Sequence, residues 1–257
     1  MQEIKIDNNI PVPVYEGFDY VNLNGQESDF GNVMIHGIKG GKSFGFASPW
    51  QASQKSNAYI LVGKSLSPYG IPTSGGKAQG KSHHRMMFRQ IDPSIISKHK
   101  LLTNGSELWF SVIVSTTKNS GFKFGLKSTK SNEDLSVVTD RGLVLKKDGK
   151  TIANQPWNRG NSDLKYPSGK PWMLIGHCKW GKTDKDPDTI KVYRVFIVPD
   201  YGPVVIRKRP VLQSLDKSFD QEKLNTIFFS ANGSYIDEIR IGSDLTSVLL
   251  GTKPLTQ

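Results

Sequence analysis

Hydrophobic residues along this chain recur at every second position in short bursts, the period of a half-buried β-strand. Leu108-Trp-Phe-Ser-Val-Ile-Val-Ser115 places Leu108, Phe110, Val112 and Val114 on one face. Phe122–Leu126 follows the polar stretch Lys118-Asn-Ser-Gly121, which predicts a hairpin, and Leu143–Leu145 runs into a second turn, Lys147-Asp-Gly-Lys150. Met173–Trp180 and Ile190–Val198 flank the polar loop Gly181–Asp188, and Val204–Ile206, Leu224–Ser230 and Tyr235–Ile241 complete the series. A helical period is nowhere sustained: Pro93–Lys98 and Ser218–Lys223 each predict a single turn. Ser43–Lys81 reads as long loops around one short strand, Tyr59–Val62. Strands at this spacing predict an all-β fold, a two-sheet antiparallel β-sandwich or jelly roll. No repeat or linker divides the chain, so residues 1–257 are expected to form one domain with 1–13 and 250–257 as peripheral tails.

The closing run Gly233-Ser-Tyr-Ile-Asp-Glu-Ile-Arg-Ile-Gly242 poses a question of its own. Strict alternation puts Tyr235, Asp237, Ile239 and Ile241 on one face and Ile236, Glu238 and Arg240 on the other. The first face is apolar apart from Asp237, and a carboxylate there needs hydrogen bonds, a cation or a metal.

Composition narrows the classes without choosing one. The 25 Gly and 14 Pro are spread along the chain, as frequent turns require. A net charge of +11 attracts polyanions, yet the lysines are scattered, which is also how a solvated surface looks. Phosphate-loop, dinucleotide and nucleic-acid-binding motifs are missing. The lone Cys178 excludes an intrachain disulfide and lies in an apolar run, as a buried core residue would. No apolar segment is long enough to span a bilayer, and the start, Met1 to Asp7, lacks a signal-peptide core.

Three phrases, Tyr15-Glu-Gly-Phe-Asp-Tyr20, Ile71-Pro-Thr-Ser-Gly-Gly76 and Ser234-Tyr-Ile-Asp-Glu-Ile-Arg-Ile-Gly242, make the chain resemble the concanavalin A-like lectin/glucanase superfamily. The resemblance is to its laminin-G-like jelly-roll branch in exported bacterial proteins. It implies a concave and a convex sheet, a glycan-related or adhesive role, and a secreted, periplasmic or cell-surface setting whose leader this sequence does not include. It also implies a structural calcium tying the first strand to the last, with Glu16 and Asp237 in the acidic positions and Asp19 as substitute for Glu16. Calcium prefers such oxygen donors but needs six to eight of them, so a plain hydrogen-bonded Asp237 stays open.

Candidate chemistry is sparse. The Glu-x-Asp-x-x-Glu strand pattern of the superfamily's glucanases is absent, and Asp184, Asp186 and Asp188 sit in a Pro-containing turn that reads as solvated. Ser82-His-His-Arg-Met-Met-Phe-Arg89 would supply His83 or His84 with Arg85 to a lyase acting on a uronate glycan, although the expected lyase signatures are missing. The histidines show no compact zinc-ligand spacing. Aromatic residues in loop-like contexts suit sugar stacking: Trp157 beside Arg159, Tyr69 and Trp50. The expected protein is a monomeric, non-catalytic carbohydrate-binding or adhesion module for a polysaccharide, acidic or sulfated if the charge is a guide. A polysaccharide lyase and a structural surface domain without glycan ligand are the alternatives.

Overall fold

The computed structural model describes residues 11–18, 20, 33–38, 43–53, 59–62, 66, 76–116, 120–139, 142–156, 169–196, 209–250 and 253–254. Sixteen strands appear in them: β1 Pro11–Val12, β2 Val14–Glu16, β3 Val33–Met34, β4 Gln51–Ala52, β5 Tyr59–Val62, β6 Lys77–Gln90, β7 Glu107–Ser115 and β8 Gly121–Lys127. Then follow β9 Asp134–Thr139, β10 Gly142–Lys147, β11 Lys150–Pro156, β12 Pro171–Lys179, β13 Asp188–Phe196, β14 Leu212–Lys217, β15 Thr226–Gly242 and β16 Lys253–Pro254. Helices are short: α1 Pro93–His99, capped by Asp92 accepting from the Ser94 N–H, and α2 Leu245–Leu250. A turn of 3-10 helix spans Gln221–Lys223.

The long strand β15 organises everything else. Its first half pairs with β8, which continues through β9 and β10 to β11. Its second half pairs with β7, which continues through β12 and β13 to β14. The register breaks around Gly233, whose φ of 64° is a conformation that glycine adopts without strain. β15 thus passes from one layer to the other, and β6 accompanies it on both sides of the break. The layers meet through side chains. Phe124 of β8 lies 5.4 Å from Phe110 of β7, and Phe122 packs edge-on against Trp172 of β12 at 5.6 Å. Gly176 has no side chain because the Phe110 ring occupies the space a Cβ would need. The result is an all-β, two-sheet antiparallel sandwich with an apolar core running from Val14 to Ile241.

Several expected elements appear in different company. The turn at Asp148 and Gly149, both at positive φ, joins β10 to β11 as a hairpin. β7 and β8 do not pair with each other, as the hairpin expected at Lys118–Gly121 requires; they run in the same direction along successive stretches of β15, on the edge opposite β6. The two final strands are one. Ser43–Lys81 holds β4, β5 and the start of β6 as well as loops. The segments taken as peripheral tails contribute β1 and β16, which pair in parallel, and Val12 is fully buried. Val204–Ile206 lies outside the described residues.

The alternation read for the closing strand also changes. Between Asp237 and Arg240 the register shifts against β7, and Glu238 takes a φ of 51°. The bulge turns Ile236, Ile239 and Ile241 together into the core between the layers. Asp237 instead shares the other face with Ile113, its cross-strand partner. There its Oδ2 accepts the Leu66 N–H at 2.7 Å and its Oδ1 the Glu238 N–H at 2.9 Å.

At the edge formed by β2 and β6, a fully buried carboxylate gathers the first part of the chain. Glu16 Oε1 accepts the Phe18 N–H (2.8 Å) and the Ser43 hydroxyl (2.7 Å). Glu16 Oε2 accepts the Tyr20 hydroxyl (2.6 Å), Trp50 Nε1–H (2.9 Å) and Arg89 Nη1 (2.5 Å). Burial, and after it the Glu16 charge, push the Tyr20 phenol well above its ordinary pKa, so it stays a donor. Arg89 is 2% exposed and also stacks over the Phe46 ring at 4.3 Å. Removing one charge of a buried pair strands the other. Glu16→Gln is therefore expected to lower stability by about 3–5 kcal/mol, with part of the loss recovered in the Glu16→Gln/Arg89→Met double variant. Urea unfolding checks this; a loss below ~1 kcal/mol for the single variant would show that the pair behaves like a surface bridge.

Candidate functional site

Strand ends and turns from five separate stretches build a polar cleft of about 770 Å³ at one end of the sandwich. One wall is the β8–β9 turn, Ser128 to Glu133, which Ser128 shapes by accepting the Lys130 and Ser131 N–H groups on its hydroxyl. The facing wall is Ser218 to Asn225 with its single 3-10 turn, and Asn104 and Asp184 close the side.

A buried carboxylate holds the base of this cleft. Asp188, 2% exposed, accepts the Gly181 N–H at 2.6 Å and the Phe219 N–H at 2.7 Å, pinning the loop after β12 to the segment after β14. Burial raises its pKa, opposed by those two amide bonds and by Lys147. Lys147 lies over the Phe219 ring at 4.9 Å and donates to the Ser218 carbonyl. Beneath, Trp180 packs edge-on against Phe219 at 6.5 Å and donates Nε1–H to the Leu101 carbonyl.

The rim is built from matched polar groups. Asn104 donates to Asp184 at 2.8 Å and accepts from Gln221, so one amide links two walls. Lys223 sits 2.5 Å from Asp220 and 3.8 Å from Glu133. The hydrogen bond it donates to Asp220 is the main reason its ammonium pKa is raised. A smaller cavity of about 300 Å³ adjoins, with Glu133 lining both. Its floor is Phe228, beneath the Lys123 ammonium at 4.8 Å, and Lys123 is bonded to Asp134 at 2.7 Å.

The residues singled out from the sequence fall elsewhere. Trp50 is no ligand platform: it is fully buried, stacked on Phe18 at 6.0 Å, with its indole N–H committed to Glu16. A short Ser-Pro-Trp-Gln segment looks like an exposed loop until the polar partner that draws its Trp inward is known. Tyr69, Trp157 and Arg159 lie outside the described residues. His83, His84 and Arg85 belong to β6, in the stretch where its register with β15 breaks between Ser82 and Met87, so simple alternation does not assign their faces; their side chains lie outside the described set. Asp184, Asp186 and Asp188 do not converge. Asp186 closes its own turn onto Thr183 at 2.9 Å, while the other two serve the cleft as described.

The calcium expectation meets a donor set that does not suit it. Glu16 is surrounded by N–H and O–H donors and a guanidinium, groups that bond an anion and repel a cation. Asp237 lies on the opposite face and accepts from two backbone amides. Among the described residues no group of three or more His, Cys, Asp or Glu side chains is placed to hold a metal.

On the outer face of the other layer a second feature stands out. His177 lies flat on Trp109 at 3.9 Å with 8° between the rings, and Tyr193 continues the row 6.5 Å from Trp109. The His177 Nε2 is 3.0 Å from Glu107. Burial lowers the imidazole pKa, with Glu107 pulling the other way and Lys191 and Lys179 adding to the lowering. The native state therefore holds fewer protons here than the unfolded chain below the free-histidine value of about 6.5. Stability should rise with pH through that window and fall away on the acid side. Urea midpoints measured across it should show this slope in the native protein and a weaker one in His177→Gln; equal slopes would remove His177 as the cause.

No protein-family model matches the chain, and no curated protein matches it. Among solved structures it is similar to an engineered GH43 glycoside hydrolase with endo-xylanase and exo-arabinofuranosidase activity, at 7% identity over 84% of this chain and 41% of that one, TM-score 0.43. It is also similar to a mutant of alginate lyase Aly36B (10% identity, 74% and 83% covered, TM-score 0.38) and to Caenorhabditis elegans galectin LEC-6 (9%, 55% and 88%, TM-score 0.34). Both measures are low, and these likenesses carry no argument about this chain's ligand. Among the described residues no helix is long and apolar enough to cross a membrane.

Proposed function

We propose that this chain is a non-catalytic carbohydrate-binding module of concanavalin A-like type, and that it takes glycan in the cleft between the β8–β9 turn and the Ser218–Asn225 segment. The carrying observation is the cleft itself: about 770 Å³, within the usual range for ligand sites, and edged by amides, hydroxyls and charges of both signs. Sugar hydroxyls each donate and accept, so such a mixed lining suits them better than it suits an apolar or singly charged ligand. Asp188 and the Trp180–Phe219 pair fix the base, which limits the ordering cost of binding.

A binding role fits the state of the carboxylates. Asp184 is engaged by Asn104, and Asp220 and Glu133 by Lys223, rather than standing ready as an acid and a base. An exported setting, as the sequence resemblance implies, fits a glycan ligand. Asn104→Ala, which unties Asp184 from Gln221, is expected to weaken glycan affinity about 3–10-fold and to cost about 1 kcal/mol of stability while leaving the protein folded. Glycan-array screening followed by calorimetry checks it. Retention of no glycan by the native protein would favour the structural surface domain instead.

A further inference from the structure

The 770 Å³ cleft does not end where its own lining ends. Glu133, about one quarter exposed, lines both it and the 300 Å³ cavity beyond. Its Oε2 lies 3.8 Å from Lys223, a residue of the cleft, and accepts the hydroxyl of Ser131, a residue of the smaller cavity, at 2.9 Å. The two spaces therefore meet along the β8–β9 turn. The second is edged in the same way: the Phe228 ring at its base is 1% exposed and covered by the Lys123 ammonium, and Lys127, Ser131, Asn132 and Asp148 line its sides. Hydroxyl, amide, ammonium and carboxylate groups on these sides can bond sugar hydroxyls as those of the cleft do.

Charge across both spaces is close to balanced. In the cleft Lys130, Lys147 and Lys223 face Glu133, Asp184, Asp220 and Glu222, and in the cavity Lys123 and Lys127 face Asp134 and Asp148. The chain's excess of +11 is thus carried by other parts of the molecule. A polyanion would meet six carboxylates and five ammonium groups along this path, with no positive field to draw it in.

We infer that the two spaces form one extended site for an uncharged oligosaccharide chain, in which sugar units in the cleft are held by hydrogen bonds and the next units lie in the smaller cavity against Lys127 and Asn132. This rests on the proposed glycan-binding role and adds ligand length and charge class to it. Calorimetry with neutral gluco-, manno- and xylo-oligosaccharides from dimer to octamer, and with oligouronates of matching length, tests it. Affinity for a neutral series should rise about tenfold from the shortest binder to a plateau and should be insensitive to salt. Lys127→Ala and Asn132→Ala should bring the long chain back toward the short one. Neutral binding that does not depend on length, or stronger binding of the oligouronates at low salt, overturns the extended neutral site while leaving glycan binding intact. Binding of no oligosaccharide of either class overturns the glycan-binding role itself.

Discussion

Five donors from separate stretches of chain converge on the buried Glu16 carboxylate, and the arrangement of the first hundred residues depends on it. A carboxylate removed from water loses hydration worth several kcal/mol, and only a full set of hydrogen bonds with a counter-charge offsets that. Arg89 supplies the charge from β6, Trp50 and Ser43 fold in from the intervening loops, and Tyr20 and Phe18 close the near side. Because every partner lies at a different place in the sequence, the carboxylate also selects one arrangement of weakly patterned chain. Trp50 then joins Phe18 and Phe229 in the core, linking this edge to β15.

From β15 the consequences run to the other end of the molecule. Passing between layers at Gly233, it pairs with β8 on one side of the break and β7 on the other. That places the turn after β8 and the loop after β12 at the same end of the sandwich, where Asp188 ties the latter to the segment preceding β15. The cleft is thus a product of strand topology, with its walls carried on rigid strand ends. Loops so supported can present polar groups without first having to be ordered.

The sequence was readable where structure is local. Alternation found the central strands, and the Asp-Gly pair at 148–149 marked its hairpin. Tertiary choices were hidden. Nothing in Lys118–Gly121 says that β7 and β8 will both pair with one strand from the far end of the chain instead of with each other. A glutamate at positive φ is uncommon, so the bulge at Glu238, which reverses the face of Asp237, has no sequence signal. Glu16 was noticed as an acidic residue near the first strand, but its partners lie up to 73 positions away, and without them a metal was as natural a reading as an arginine. For the cleft, the polar turns at Gly181–Asp188 and Ser218–Lys223 were visible separately, and their juxtaposition through Asp188 was not.

The most direct measurement is an amide-resolved NMR titration of the intact chain with neutral oligosaccharide. The account predicts saturable shifts confined to Asn104, the Ser128–Glu133 turn, Asp184 and Ser218–Asn225, spreading to Lys123, Lys127 and Phe228 as the chain lengthens, while Glu16, Trp50 and Arg89 stay fixed. Saturable shifts centred on the Trp109–His177–Tyr193 row, with the cleft unmoved, would contradict it.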